Sequence, residues 1–150
     1  MGNKTNVRYV RTNYSNVMNP VECRLTYEID INRYPLNNIQ VSSNLIEKVS
    51  RELNCSYIKY DKRSNYPTTV AFTVTAQADC DNDQDKYDRV IGERIALTRA
   101  QAKAFEKTCK FYDKIAYYVD DALCNMVSII DNSWGAANKC WKHAKEIGNY

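Results

Sequence analysis

Between Gly92 and Gly135 this chain contains neither glycine nor proline. From Ile91 onward, apolar or small residues recur at alternating steps of four and three: Ile91, Ile95, Thr98, Ala102, Phe105, Cys109, Tyr112, Ala116, Val119, Leu123, Met126 and Ile130. Such spacing is a helical seam. The pattern is entered through Asp79, Asp81, Asp83, Asp85 and Asp88, whose carboxylates suit the positive end of a helix. Counted from Asp85 it runs for about forty-five residues, on the order of 68 Å as one rod. A compact monomer cannot cover that length. Either the helix breaks, between Thr108 and Asp113, or it projects and buries its distal half against another copy. A second row, Ala104, Thr108, Phe111, Ile115, Tyr118 and Ala122, widens the apolar face beyond what one partner needs and favours oligomerisation. Asn132 or Ser133 is then expected to cap a final helix, Trp134 to Ile147, with Trp134, Ala137, Trp141 and Ala144 on one side.

The first half of the chain follows a different period. Val21, Cys23, Leu25, Tyr27, Ile29 and Ile31 alternate with Glu22, Arg24, Thr26, Glu28 and Asp30, the signature of a strand with one buried face. A shorter strand, Val7 to Val10, precedes it. Ser43 is placed to cap a short helix whose Leu45, Ile46, Val49 and Leu53 share a face. Cys55 to Tyr60 and Thr68 to Ala78 read as further strands across a wide loop, the second carrying Val70, Phe72, Val74 and Ala76 inward. The expected fold is one α+β domain over residues 1–150: a small antiparallel sheet with a short helix in residues 1–80, then long C-terminal helices over residues 83–147 that mediate oligomerisation.

Composition narrows the function classes. A net charge of +3 permits an anionic partner without demanding one. The six cysteines, at 23, 55, 80, 109, 124 and 140, include no CxxC pair, and His143 is the one imidazole, so neither zinc nor another metal is expected. The N-terminal residues MGNKTNVRYV lack an apolar core for a signal peptide, Asn6 stands where a myristoylation motif wants Ser or Thr, and no apolar run reaches membrane-span length. A reducing cytoplasmic setting with free, mostly buried thiols is the expectation.

Catalytic patterns are missing. Counted from Asp79, a calcium loop would need glycine where Gln84 stands and glutamate where Val90 stands. Asp120 and Asp121 are adjacent on a helix and point in different directions. His143 sits among Lys142 and Lys145 with no nearby Cys or Asp at catalytic spacing. There is no Walker loop, GxGxxG, HExxH or GxSxG. An enzyme is disfavoured, and no cofactor is expected.

The remaining set is basic and aromatic: Arg89, Arg94, Arg99, Lys103, Lys107, Lys110 and Lys114, interleaved with Tyr87, Phe105, Phe111 and Tyr112. Arg99, Lys103 and Lys107 follow one another a turn apart, so phosphates could be met there while a ring stacks a base. Glu93, Glu106 and Asp113 partly neutralise the row, and a solvated amphipathic helix has the same look.

Ala76-x-Ala78-x-Cys80, followed by Asp85, Tyr87, Asp88, Gly92, Ile95-Ala96, Arg99-Ala100 and Lys103-Ala104, resembles a pattern of small bacteriophage α+β proteins. It is also similar to the strand-then-helix end of double-stranded-RNA-binding-like domains. Within the phage group it resembles the anti-Thoeris proteins, sponges for cyclic ADP-ribose-type signals that assemble as dimers or larger oligomers. The likeness spans Ala76 to Phe105; a proline and glutamate expected after the cysteine are replaced by Asp81 to Gln84. The resemblance implies a non-enzymatic phage counter-defence protein that sequesters a cyclic nucleotide or ADP-ribose-type signal between subunits. On that reading Arg94, Arg99 and Lys103 meet the pyrophosphate and Tyr87 or Phe105 stacks the base. The alternatives are a nucleic-acid-binding accessory protein using the same stripe, or an inhibitor acting on a host defence protein by direct contact.

Overall fold

A computed structural model describes residues 6–16, 20–33, 36–39, 41–79 and 89–148. The chain divides into two compact units, Met1–Lys114 and Ile115–Tyr150. The first holds strands β1 (Val7–Tyr14), β2 (Val21–Asp30), β3 (Tyr57–Tyr60) and β4 (Pro67–Ala78), with helices α1 (Leu36–Ile39) and α2 (Ser43–Glu52) between β2 and β3. The last helix, α3, runs from Arg89 to Gly148 through both units. The α+β architecture is as the sequence implies.

The four strands form one antiparallel sheet in the order β1-β2-β4-β3. The alternation in β2 is realised as read: Val21, Cys23, Leu25, Tyr27 and Ile29 are buried on one face, joined by Val70, Phe72 and Ala76 from β4. β1 is longer than expected and carries a bulge. Tyr9 pairs with Tyr27 and Arg11 with Thr26, leaving Val10 as the extra residue. In a regular strand Arg8 and Arg11 would point to opposite faces; the bulge returns both to the face opposite the core.

Ser42, one residue before the expected cap, closes the start of α2 by accepting from Leu45 N at 3.2 Å. The end of α2 explains why β3 starts at Tyr57 and not at Cys55. Asn54 takes a left-handed conformation (φ 58°), and its N–H donates to Arg51 O while Cys55 N–H donates to Ser50 O, each at 3.0 Å. These two bonds form a Schellman cap with asparagine in the usual glycine place.

Of the two courses open to α3, the break between Thr108 and Asp113 does not occur, and the expected cap at Asn132 or Ser133 does not form. Ser133 instead donates its hydroxyl to Ile129 O at 2.7 Å, and Thr108 donates to Ala104 O at 2.8 Å. Both are back-bonds that hydroxyl residues make within a continuing helix. The aspartates from Asp81 to Asp88, read as the helix entry, lie outside the described residues.

Burial on α3 corrects the seam. The covered row in the first unit is Gly92, Ala96, Ala100, Ala104, Thr108 and Phe111, whereas Ile91, Ile95 and Phe105 are exposed. The sheet supplies the bulk for this layer through Tyr27, Phe72, Leu25 and Ile29, so the helix meets it with small side chains until Phe111 closes edge-on against Phe72 at 5.9 Å. Arg89 ties the start of the helix to Ser15 O at 2.7 Å, Asn6 donates to the Tyr112 hydroxyl at 3.3 Å, and Lys114 pairs with Glu52 at 2.9 Å. In the second unit the helix is covered at Ile115, and from Ala116 onward its described side chains are almost all exposed.

Candidate functional site

The basic row on α3 has structural duties. Arg99 donates to Gln77 O at 2.8 Å and Lys103 to Thr75 O at 2.7 Å, and the Lys107 ammonium lies 5.3 Å from the centre of the Phe72 ring. Partners step down β4 by about two residues for each helical turn, because four helix residues rise about 6 Å and two strand residues about 6.6 Å. β3 covers only the first part of β4, with its last pairing at Ala71. Arg99 and Lys103 therefore satisfy carbonyls on a stretch of β4 that β3 leaves open. Burial, with Lys110 beside it, pushes the Lys107 ammonium below its ordinary range.

Of the five residues expected to hold a ligand, the structure groups Arg99 and Lys103 on one flank of the helix. Phe105 follows Lys103 by two residues, hence about 200° around the axis. It is exposed and shares its side with Arg94, also exposed, eleven residues and about 16 Å away along the axis. Tyr87 lies outside the described residues.

A different constellation forms on the open face of the sheet. Register places Arg8, Glu28, Ala71 and Tyr57 in one row across all four strands. Ala71 is small enough for the Tyr57 ring to reach over β4, and its hydroxyl donates to Glu28 Oε2 at 2.6 Å. Lys59 approaches the same oxygen at 2.9 Å, and Arg8 binds Oε1. The Glu28 side chain is only 4% exposed while that of Arg8 is 73% exposed. Burial pushes the Glu28 carboxyl up, but the bonds from Tyr57, Arg8 and Lys59 outweigh it and hold the group at about 2. A carboxylate so held is anionic at every physiological pH and is ill matched to acid–base work near neutrality. Tyr57 is raised in turn, first by its bond to Glu28 and then by burial, with Arg8 and Arg11 opposing.

Beside this row lies a cleft of about 510 Å³ lined by Asn6, Arg8, Glu28, Asp30, Arg33 and Thr69 among others. Asp30 braces Arg33 at 3.1 Å, as Glu28 braces Arg8, and its other oxygen accepts from Asn32 N at 3.0 Å. Two exposed guanidinium groups at the cleft are thus each paired with a carboxylate that also lines it. Sequence alternation had put Glu28 and Asp30 on the polar face, but the bulge and the strand order that bring Arg8, Tyr57 and Lys59 to Glu28 have no signal in the local pattern.

Among the described residues no group of three or more His, Cys, Asp or Glu side chains could hold a metal ion, and no helix is long and apolar enough to cross a membrane. Cys23, Cys55, Cys109, Cys124 and Cys140 are free thiols. Burial raises Cys23 and Cys55, but the other three are exposed, against the expectation of mostly buried thiols. His143 is exposed as well, with Nδ1 3.7 Å from Glu146. No protein-family model matches this chain, and neither does a curated protein or a solved structure.

Proposed function

We propose that this chain is a non-enzymatic binding protein that takes up a phosphate-bearing nucleotide at the cleft on the open face of its sheet. The observation that carries this reading is the pair of carboxylate-braced arginines, Arg8 on Glu28 and Arg33 on Asp30. Guanidinium groups bind phosphate in a fixed, two-pronged geometry, and bracing them lowers the entropy lost on binding. The charged side chains lining the cleft are Arg8, Arg33, Glu28 and Asp30, and Lys59, which reaches Glu28 from β3, adds a third cation beside them, so the local balance leans towards an anion. A volume near 510 Å³ suits a nucleotide-sized ligand.

The resemblance to signal-sequestering phage proteins extends the proposal: the ligand is a cyclic nucleotide or ADP-ribose-type signal, held without turnover by a homo-oligomer in the host cytoplasm. Arg99 and Lys103 then serve the scaffold more than the phosphates, since they already donate to β4.

Calorimetry against cyclic dinucleotides, cyclic ADP-ribose isomers and short single-stranded oligonucleotides tests this. Arg8→Ala and Arg33→Ala are expected to weaken nucleotide binding by about tenfold or more each, and Arg99→Ala to leave it nearly unchanged. The ligand should be recovered intact. Affinity that depends on Arg99 and not on Arg8 would return the site to α3. Binding only to oligonucleotides, with a steep loss on adding salt, would favour a nucleic-acid partner.

A further inference from the structure

The unbroken course of α3 extends the four-three spacing beyond Ile130, through Ser133, Ala137, Cys140 and Ala144 to Ile147. That is a strict seven-residue repeat along the whole second unit. Its a positions are Ala116, Leu123, Ile130, Ala137 and Ala144, and its d positions are Val119, Met126, Ser133, Cys140 and Ile147. A repeat of seven keeps one stripe facing a partner helix. The stripe is uncovered here: Leu123, Met126, Ile130 and Ile147 are each more than half exposed, and Trp134 and Trp141 beside them are exposed to 67% and 71%. The segment from Asn125 to Gly135 holds Asn, Asp, Ser, Gly and β-branched residues, poor helix formers that make this stretch marginal without a packed face.

We infer that the second unit pairs with the same segment of another copy of this chain, in antiparallel orientation. This deepens the oligomer named in the proposed function and does not depend on the ligand.

Two observations fix the direction. First, charge is segregated along the segment: from Ile115 to Asn138 the charged side chains are Asp120, Asp121 and Asp131, whereas Lys139, Lys142 and Lys145 with Glu146 follow. Parallel copies would set aspartates beside aspartates. Antiparallel copies set the acidic part of one against the basic part of the other. Second, a parallel pair would stack Ala116, Ser133, Ala137, Cys140 and Ala144 each on itself, leaving thin layers between thick ones. Reversing one copy lets a face d, and a single register then matches a large residue with a small one in every layer: Ala116 with Ile147, Val119 with Ala144, Leu123 with Cys140, Met126 with Ala137, and Ile130 with Ser133. Evenly filled layers are what close packing requires. The acidic half and the net balance of the segment argue against an anionic membrane surface as the occupant.

The test uses the full chain with every cysteine except buried Cys23 replaced by alanine. Spin labels at Asn132→Cys should lie within about 20 Å of their counterparts across a helix pair. Labels at Glu146→Cys, level with residue 117 of the other copy, should lie about 45 Å apart. Light scattering of the unlabelled wild-type chain should report two or more copies at micromolar concentration, and Leu123→Asp should reduce it to a monomer. Short distances at both labels would mean a parallel assembly and overturn the inference. So would a wild-type monomer, including one that gathers only on anionic lipid vesicles.

Discussion

The two stretches of α3 solve opposite problems with the same geometry. Up to Lys114 the helix presents glycine and alanine to a sheet that brings its own large side chains, and every one of Ala96, Ala100 and Ala104 is buried. Beyond Ala116 the large side chains are on the helix itself, and Leu123, Met126, Ile130, Trp134 and Trp141 meet no partner within the described residues. Hydrophobicity is therefore a poor guide to which face is covered. What counts is how much volume the opposing surface supplies, and a row of alanines against Tyr27 and Phe72 fills a layer as completely as a row of leucines against nothing leaves one open.

The largest effect that would break this contrast is expected at Phe111. Phe111→Ala should destabilise the sheet unit by about 3–5 kcal/mol, since it removes a buried ring packed on Phe72. Trp134→Ala should leave the unfolding of that unit in place and weaken assembly instead. Both tryptophans lie beyond Ala116, so tryptophan fluorescence follows the second unit and amide hydrogen exchange in β2 and β4 follows the first. In urea the tryptophan transition should move with protein concentration, and the sheet should not.

On the opposite face of the sheet the buried group, Glu28, is charged. Its folded-state value of about 2 lies below the ordinary 4.5, so its stabilising contribution is fully present above pH 4.5 and is lost as pH falls through 4.5 towards 2. The amount is on the order of 3 kcal/mol. Glu28→Gln should lower stability at pH 7, and its difference from wild type should shrink across that window in urea titrations. A constant difference down to pH 2 would show that the carboxylate is not held by Arg8, Lys59 and Tyr57.

Smaller effects separate the two helix faces directly. Ala100→Leu should cost about 1–3 kcal/mol in thermal or urea unfolding, because the covered row has no room for added carbons. Gly135→Ala should raise the stability of the second unit by about 1 kcal/mol, since a Cβ there meets nothing within 4 Å and glycine is a weak helix former. An unchanged amide-exchange rate around residue 135 would count against that gain.

The local pattern determined a good deal of this protein. Two-residue alternation in β2 and β4 placed their buried faces, because successive strand residues point to opposite sides whatever the rest of the chain does. The hydroxyl pair Ser42 and Ser43 placed the start of α2 to within a residue, and the absence of glycine and proline between Gly92 and Gly135 suits the unbroken course of α3 past residues 108–113 and 132–133. Tertiary structure alone decided which row of α3 is covered, since that depends on the bulk that β2 and β4 offer across the layer. It also decided the site. Arg99 and Lys103 look like free phosphate ligands until the open edge of β4 supplies them with carbonyls, and Glu28 looks like an ordinary solvated residue until the bulge at Val10 and the order β1-β2-β4-β3 bring three donors to it. Period is a property of neighbours in the chain, whereas partnership is a property of neighbours in space, and only folding makes the second kind.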